Sequence, residues 1–254
     1  MAKNKKTCLR FKPNTLFLIM NERQRYQNFL DWAKKQYCPL TTIFPTIHKT
    51  DIFHIDLSKK NTTVKTEAEF NNPAFFGDKL AEIQEKNPKK IIAGGYLEKR
   101  ALYTSDIYNA KNSSEKRNIH LGLDFWLPEN TPVHSLFDGE IVCAVHQQDH
   151  KGYGGFIILK HQTKETTFYT LYGHLSEESV SNFSISDTIK KGEKIGVLGN
   201  YEENGKWVPH LHFQIMLTLL EYENDFPGVA LKSEIDFWKA ICPNPNVLFK
   251  SDSL

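Results

Sequence analysis

Cysteine is scarce and scattered: only Cys8, Cys38, Cys143 and Cys242 occur in 254 residues, and no two form a CxxC pair. That spacing excludes a cysteine zinc site and a dense disulfide framework, and reads as reduced thiols, buried or half-buried. Long apolar runs are also missing. Nothing approaches the roughly 20 apolar residues that a membrane span needs. The run Leu16 to Met20 is too short for a signal-peptide core, and Pro13 and Asn14 interrupt its approach from the basic stretch Lys3, Lys5, Lys6, Arg10 and Lys12. The chain is therefore expected to stay where it is made, in the cytoplasm, with a periplasmic or secreted location as the alternative. No charge of one sign dominates: 32 basic against 30 acidic residues leave a formal charge of +2. Nothing global then points to nucleic acid or to an anionic membrane as partner. Internal repeats and low-complexity tracts are absent too.

What is present is enough apolar material, 40% of the chain with 12% aromatic, to bury a sizeable core in a soluble globular protein. Residues 1–93 read as a mixed α/β amino-terminal region. Asn21 is placed to cap a helix through about Gln36, Asp51 to Leu57 alternates like a strand, Gly77-Asp78 opens a second helix, and Ile91-Ile92-Ala93 reads as a buried strand. From residue 94 to 220 the texture is mainly β, giving an α+β class overall. Strands are expected at Thr131 to His134, Gly139 to Val145, Phe156 to His161, Thr167 to His174, Lys194 to Leu198 and Leu211 to Leu217, with turn signals such as Asp138-Gly139 and Lys191-Gly192 between them. Residues 221–254 read as a loop, a helix from Glu234 to Ala240 capped by Ser233, and a Cys242-Pro-Asn-Pro245 turn.

Histidine carries the chemistry. His120-Leu-Gly122-Leu-Asp124 puts an imidazole and a carboxylate on one strand face, but roughly 13 Å apart if the strand is straight. The chain must bend between them, and Gly122 is the residue that permits it. His210-Leu-His212-Phe-Gln214-Ile215 alternates a polar face with an apolar one, so one imidazole is able to hold a metal while the other reaches a water; the spacing does not say which. Tyr172-Gly173-His174 exposes a third imidazole at a strand end, a candidate proton shuttle or oxyanion stabiliser. Two or three imidazoles and one carboxylate, with an open position for water, make the arrangement of a catalytic rather than a structural zinc. Gln214 is read either as touching substrate or as solvated at a groove edge. Tyr103 and Tyr108 are read either as oxyanion donors or as packing residues, and His134, His146, His150 and His161 as structural.

In that order, His120-Leu-Gly-Leu-Asp124, Tyr172-Gly-His174-Leu and His210-Leu-His212-Phe resemble the three signatures of the lysostaphin/LytM family of zinc endopeptidases. The glycine-rich phrases Tyr153-Gly-Gly155 and Lys191-Gly-Glu-Lys-Ile-Gly196 match as well, and the resemblance covers roughly Gly95 to Leu217. It implies an antiparallel β-sheet lining an open groove, Zn2+ held by His120, Asp124 and His212, and His174 and His210 as catalytic residues. It also implies a peptide or peptidoglycan-type substrate. Tyr96 to Tyr108, Trp207-Val-Pro-His210 and Ile241 to Asn246 are similar, besides, to a lysostaphin-like module fused to class III aminotransferases in large cytoplasmic proteins. Two other readings stand beside the endopeptidase: a zinc-retaining binding or regulatory module, and a zinc hydrolase of a non-wall cytoplasmic amide. Oligomeric state is not legible from periodicity.

Overall fold

A computed structural model describes residues 15–58, 66–100, 103, 106–110 and 114–254. The basic stretch Lys3 to Lys12 and Cys8 lie outside them. The first elements are helices α1 (Thr15–Ala33) and α2 (Leu40–Ile43), strand β1 (Asp51–His54), helices α3 (Glu67–Asn71) and α4 (Pro73–Lys86), and strand β2 (Lys90–Gly94). Strands β3 (Ile119–His120), β4 (Leu123–Trp126), β5 (Pro132–His134), β6 (Gly139–His146), β7 (Gly155–Gln162) and β8 (Thr167–Leu175) follow. Then come α5 (Glu177–Ser181), β9 (Thr188–Ile189), β10 (Lys194–Val197), β11 (His210–Met216), β12 (Val229–Ala230), α6 (Ile235–Ile241) and α7 (Asn246–Phe249).

Eight strands form one sheet in the order β1-β2-β4-β11-β8-β7-β6-β9, antiparallel except for the parallel β1–β2 pair. The sheet crosses the boundary expected near residue 93, because β2 pairs with β4 through Ile92↔Trp126, Ala93↔Phe125 and Gly94↔Asp124. The six strands expected between Thr131 and Leu217 are all present, each within one residue at either end. The segment His120 to Asp124 is broken as its geometry requires. It leaves β3, which pairs with β12, turns at Leu121-Gly122, and enters β4, which pairs with β11.

Strand β11 shows how alternation places a site. Leu211, Phe213 and Ile215 face a core that also contains Phe29, Phe44, Phe125 and Tyr172. The opposite parity carries His210, His212 and Gln214 and ends on Met216 in a second core with Phe156, Leu171 and Trp238.

Three helix starts differ from the sequence reading. Asn21 lies inside α1, because the helix extends back to Thr15 through a run in which Leu16, Leu18 and Met20 are good helix formers. The Gly77-Asp78 start moves to Pro73: Asn72 accepts from the Ala74 and Phe75 amides, and proline at the first helical position needs no donor. Ser233 does not cap α6. Its amide and hydroxyl are taken by the Glu115 carboxylate at 3.0 and 2.7 Å, and the helix begins at Ile235 after a 3-10 turn.

Candidate metal centre

His120, Asp124 and His212, the three residues expected as a ligand set, converge. His212 pairs with Asp124 across β11 and β4, and the break at Gly122 swings His120 back onto the same spot. His120 Nε2 lies 2.9 Å from His212 Nδ1, and Asp124 Oδ1 lies 3.2 Å from each of these nitrogens. The space a Cβ at Gly122 would fill is taken by the Phe213 carbonyl oxygen, 2.6 Å from that position, and by the His212 ring at 2.8 Å. Glycine therefore makes room for an imidazole rather than directly for an ion.

Hydrogen bonds on the far sides of the rings fix both tautomers. The Gly95 carbonyl is 3.0 Å from His120 Nδ1, and an oxygen that only accepts requires the proton there. Gln214 Nε2 donates to the Pro227 carbonyl, which turns Gln214 Oε1 toward His212 Nε2 at 3.0 Å and places the second proton there. The atoms that meet in the middle are thus two imidazole lone pairs and a carboxylate oxygen. With nothing between them such a trio repels, and a cation resolves it. Nitrogen and oxygen ligands about 2.0–2.2 Å from a tetrahedral zinc sit roughly 3.3–3.6 Å from one another, close to the spacing observed. The donor set fits zinc.

His174 and His210 stand beside this cluster, with ring centroids 4.2 Å apart. His210 donates from Nδ1 to the Val208 carbonyl at 2.8 Å, leaving Nε2 free 3.9 Å from Asp124 Oδ1. His174 donates from Nδ1 to the Asn204 carbonyl at 2.9 Å. It reaches the site through a β-bulge: Gly155 pairs with Leu175 and Phe156 with Gly173, so His174 is the extra residue. The left-handed conformation of the bulge falls on His174 itself, at φ 66°, and not on a glycine. Gly173 is needed for a different reason, since a Cβ there would stand 2.7 Å from the Tyr153 ring. Burial pushes both His174 and His210 below the ordinary histidine range.

Arg100 is the residue the sequence did not announce. It is 2% exposed, with Nη1 2.6 Å from Asp124 Oδ2 and Nε 2.5 Å from Glu98. One carboxylate oxygen of Asp124 is therefore occupied, and the other is left for the cluster. Burial works to raise the Asp124 carboxyl, but His120 and Arg100 beside it outweigh that and hold it well below the usual carboxylate range. Gln214 is fully buried as the partner of His212, so it is neither solvated nor at a groove edge. Tyr103 sits 3.4 Å from Arg100 Nη1, and Tyr108 spends its hydroxyl proton on the Lys151 carbonyl. His161 is buried between the Asp138 carbonyl and Thr170, a structural role. A glutamate and an arginine from a loop carry no motif; only proximity in the fold reveals them.

Residues 118–223 match the sequence pattern of peptidase family M23. An uncharacterized metalloprotease of Buchnera aphidicola is 27% identical over 169 residues, 64% of this chain and 42% of that protein. Peptidoglycan DD-endopeptidase ShyA of Vibrio cholerae is 31% identical over 99 residues, 39% of this chain and 20% of ShyA. Lysostaphin of Staphylococcus staphylolyticus is 28% identical over 137 residues, 53% of this chain and 27% of lysostaphin. The chain thus spans less than half the length of each of these relatives. Among solved structures, the catalytic domain of lysostaphin from Staphylococcus simulans matches at 26% identity and a TM-score of 0.33, covering 52% of this chain and 88% of that one.

Proposed function

We propose, for a chain whose residues 118–223 belong to peptidase family M23, that it is a zinc-dependent endopeptidase acting on peptides of peptidoglycan. The observation that carries this reading is the convergence of three fixed lone pairs, His120 Nε2, His212 Nδ1 and Asp124 Oδ1, beside two further imidazoles. Peptidoglycan as substrate is supported by relatives such as the DD-endopeptidase ShyA. His120, Asp124 and His212 hold the ion. When bound, zinc supplies a Lewis acid that polarises the scissile carbonyl and lowers the pKa of water.

The protein's own groups do the rest. His210, its Nδ1 proton tied to Val208, keeps a lone pair on Nε2 and takes the proton of the attacking water. His174 in its neutral form also presents a lone pair from Nε2, since its proton sits on the Asn204 side. It stabilises an oxyanion by donation only as the imidazolium, after it has taken up a proton. Water outside the reaction is kept away by Trp126, stacked 5.7 Å from His210, and by Trp207, 6.4 Å from His174.

The test is mass spectrometry of purified peptidoglycan fragments incubated with zinc-loaded protein, chelated protein and His210→Ala. New peptide ends are expected only from the zinc-loaded wild type. Cleavage by His210→Ala at the wild-type rate would remove His210 as the base, and no cleavage by protein carrying one zinc would remove the endopeptidase.

A further inference from the structure

The cleft that opens onto the histidines has a cavity volume of about 170 Å³, several times the roughly 30 Å³ that one water occupies. Its lining carries donors without acceptors. Arg100 Nη2, Arg117 Nε and Tyr153 Oη, all of residues lining this cleft, are buried without a hydrogen-bond partner among the described residues. Arg100 Nη2 lies behind His120, against Gly95, and belongs to the ion pair already described. Tyr153 Oη lies against Gly228, and Arg117 is tied to Lys151 through Tyr108, whose carbonyl accepts from the Arg117 amide and whose hydroxyl donates to the Lys151 carbonyl.

Lys151 lines the same cleft, is 6% exposed, and pairs with no carboxylate among the described residues. Its ammonium donates to the Lys206 carbonyl at 2.7 Å and sits 4.0 Å from the centroid of Trp207, which in turn faces His174 and His210. A buried lysine without a counter-ion is rare, because desolvation penalises the charge. The backbone is also held in place at some cost: Lys151 adopts φ 66°, its amide donates to Gly205, and its carbonyl accepts from Tyr108, whose own carbonyl accepts from the Arg117 amide. Strain retained at a cleft wall is characteristic of functional positions. Asp149 and Asp225 stand on the rim of the cleft, both exposed, and Asp225 is engaged by Gln147.

We propose that the cleft wall at Lys151 is a subsite for a carboxylate of the peptide substrate, with the Lys151 ammonium as its anchor. This rests on the peptidase reading above and adds the substrate's chemistry to it: the bond cut lies near a carboxylate that the Lys151 ammonium neutralises. Burial pulls the Lys151 ammonium down to about 8, consistent with a pocket that is short of negative charge. The carboxylate belongs either to the end of the peptide chain or to an acidic side chain, and both place the same group against the same ammonium.

The experiment offers stem-peptide fragments to the zinc-loaded full chain in three forms: intact, amidated at the terminal carboxyl, and amidated at side-chain carboxyls. One amidated form is expected to lose about tenfold or more in kcat/KM, the scale of a hydrogen bond to a charged group, and which form loses it names the source. Lys151→Met should show the same loss on the intact peptide, Lys151→Arg should recover most of it, and Lys151→Met combined with amidation should cost no more than either alone. Equal kcat/KM for all three forms overturns the subsite. So do additive losses in a Lys151→Met protein whose Tm is that of the wild type; if that variant does not fold, the amidation series on wild type decides alone. Calorimetry of the same peptides on His210→Ala separates the two readings. Preference for the intact peptide without any turnover by wild type sinks the peptidase and keeps the subsite, whereas turnover without preference does the reverse.

Discussion

Replacing Arg100 by methionine leaves the Asp124 and Glu98 carboxylates buried and facing each other without the guanidinium that separates them. The chelated protein is expected to lose about 3–5 kcal/mol of unfolding free energy, the usual cost of breaking a buried pair on one side. Saturating zinc should shrink the deficit, because the ion replaces part of the missing positive charge beside Asp124. Urea melts with and without zinc measure both, and an equal deficit in the two would show that Arg100 acts on the fold alone. Gln214→Leu tests the other support. His212 Nε2 loses its acceptor and the ring its fixed tautomer, so zinc affinity should fall by about 10–100-fold in competition with a chromophoric chelator. Unchanged affinity would mean that strand packing alone orients His212. The sequence separates these residues cleanly: His120, Asp124, His174, His210 and His212 were legible because motif and strand parity put them on one face. Gln214 shared that face, yet its role depends on the Pro227 carbonyl from a distant loop, which no local pattern reveals.

At the scale of elements, alternation located strands such as β11 because its two parities meet different surroundings, Leu211, Phe213 and Ile215 one core and His210, His212 and Gln214 the site. Two-residue strands such as β9 and β12 are too short to show a period at all. Helix starts were misplaced where the true start lay upstream of the residue chosen, as at Asn72-Pro73 ahead of Gly77. Strand β7 and β8 together bury His161, which donates from Nδ1 to the Asp138 carbonyl at 2.8 Å and accepts at Nε2 from Thr170 at 2.7 Å. Burial pushes its pKa down to about 4, whereas the unfolded chain titrates near 6.5. Between these values the unfolded chain binds more protons, so the contribution of His161 is complete above about pH 6.5 and is lost as pH falls toward 4, about 3 kcal/mol in all. Stability measured from pH 7 to pH 4.5 should therefore fall less steeply in His161→Gln than in wild type, after allowing for its lower starting value. Parallel curves would show that the strand pair opens locally and hydrates the ring before it titrates.

On the scale of the whole molecule, the region before residue 95 is wired into the site rather than appended to it. Strand β2 supplies the edge of β4 that carries Asp124, with Gly94 directly opposite that residue, and the next carbonyl, Gly95, fixes the His120 tautomer. Ile52, Ile91 and Ala93 lie in the same core as Phe125 and Phe213, and Phe76 packs against Trp126, the residue stacked on His210. Texture alone suggested a change at residue 94 because helix and parallel-strand patterns give way there to antiparallel ones, but pairing across that point is non-local and leaves no periodic mark. A chain shortened to residues 95–254 would expose the ladder edge of β4 and remove those core side chains together. It is expected to be insoluble, or to melt at least about 10 °C below the full chain, a drop that corresponds to a few kcal/mol in a domain of this size, and to bind zinc weakly even when folded. The full chain should unfold in one transition, with near-UV circular dichroism and zinc release coincident. A shortened chain that melts at the full-length temperature and holds zinc equally well would show that residues 95–254 build the centre unaided; separate transitions in the full chain would show that the β1–β2 pair docks on the sheet without being part of its cooperative unit.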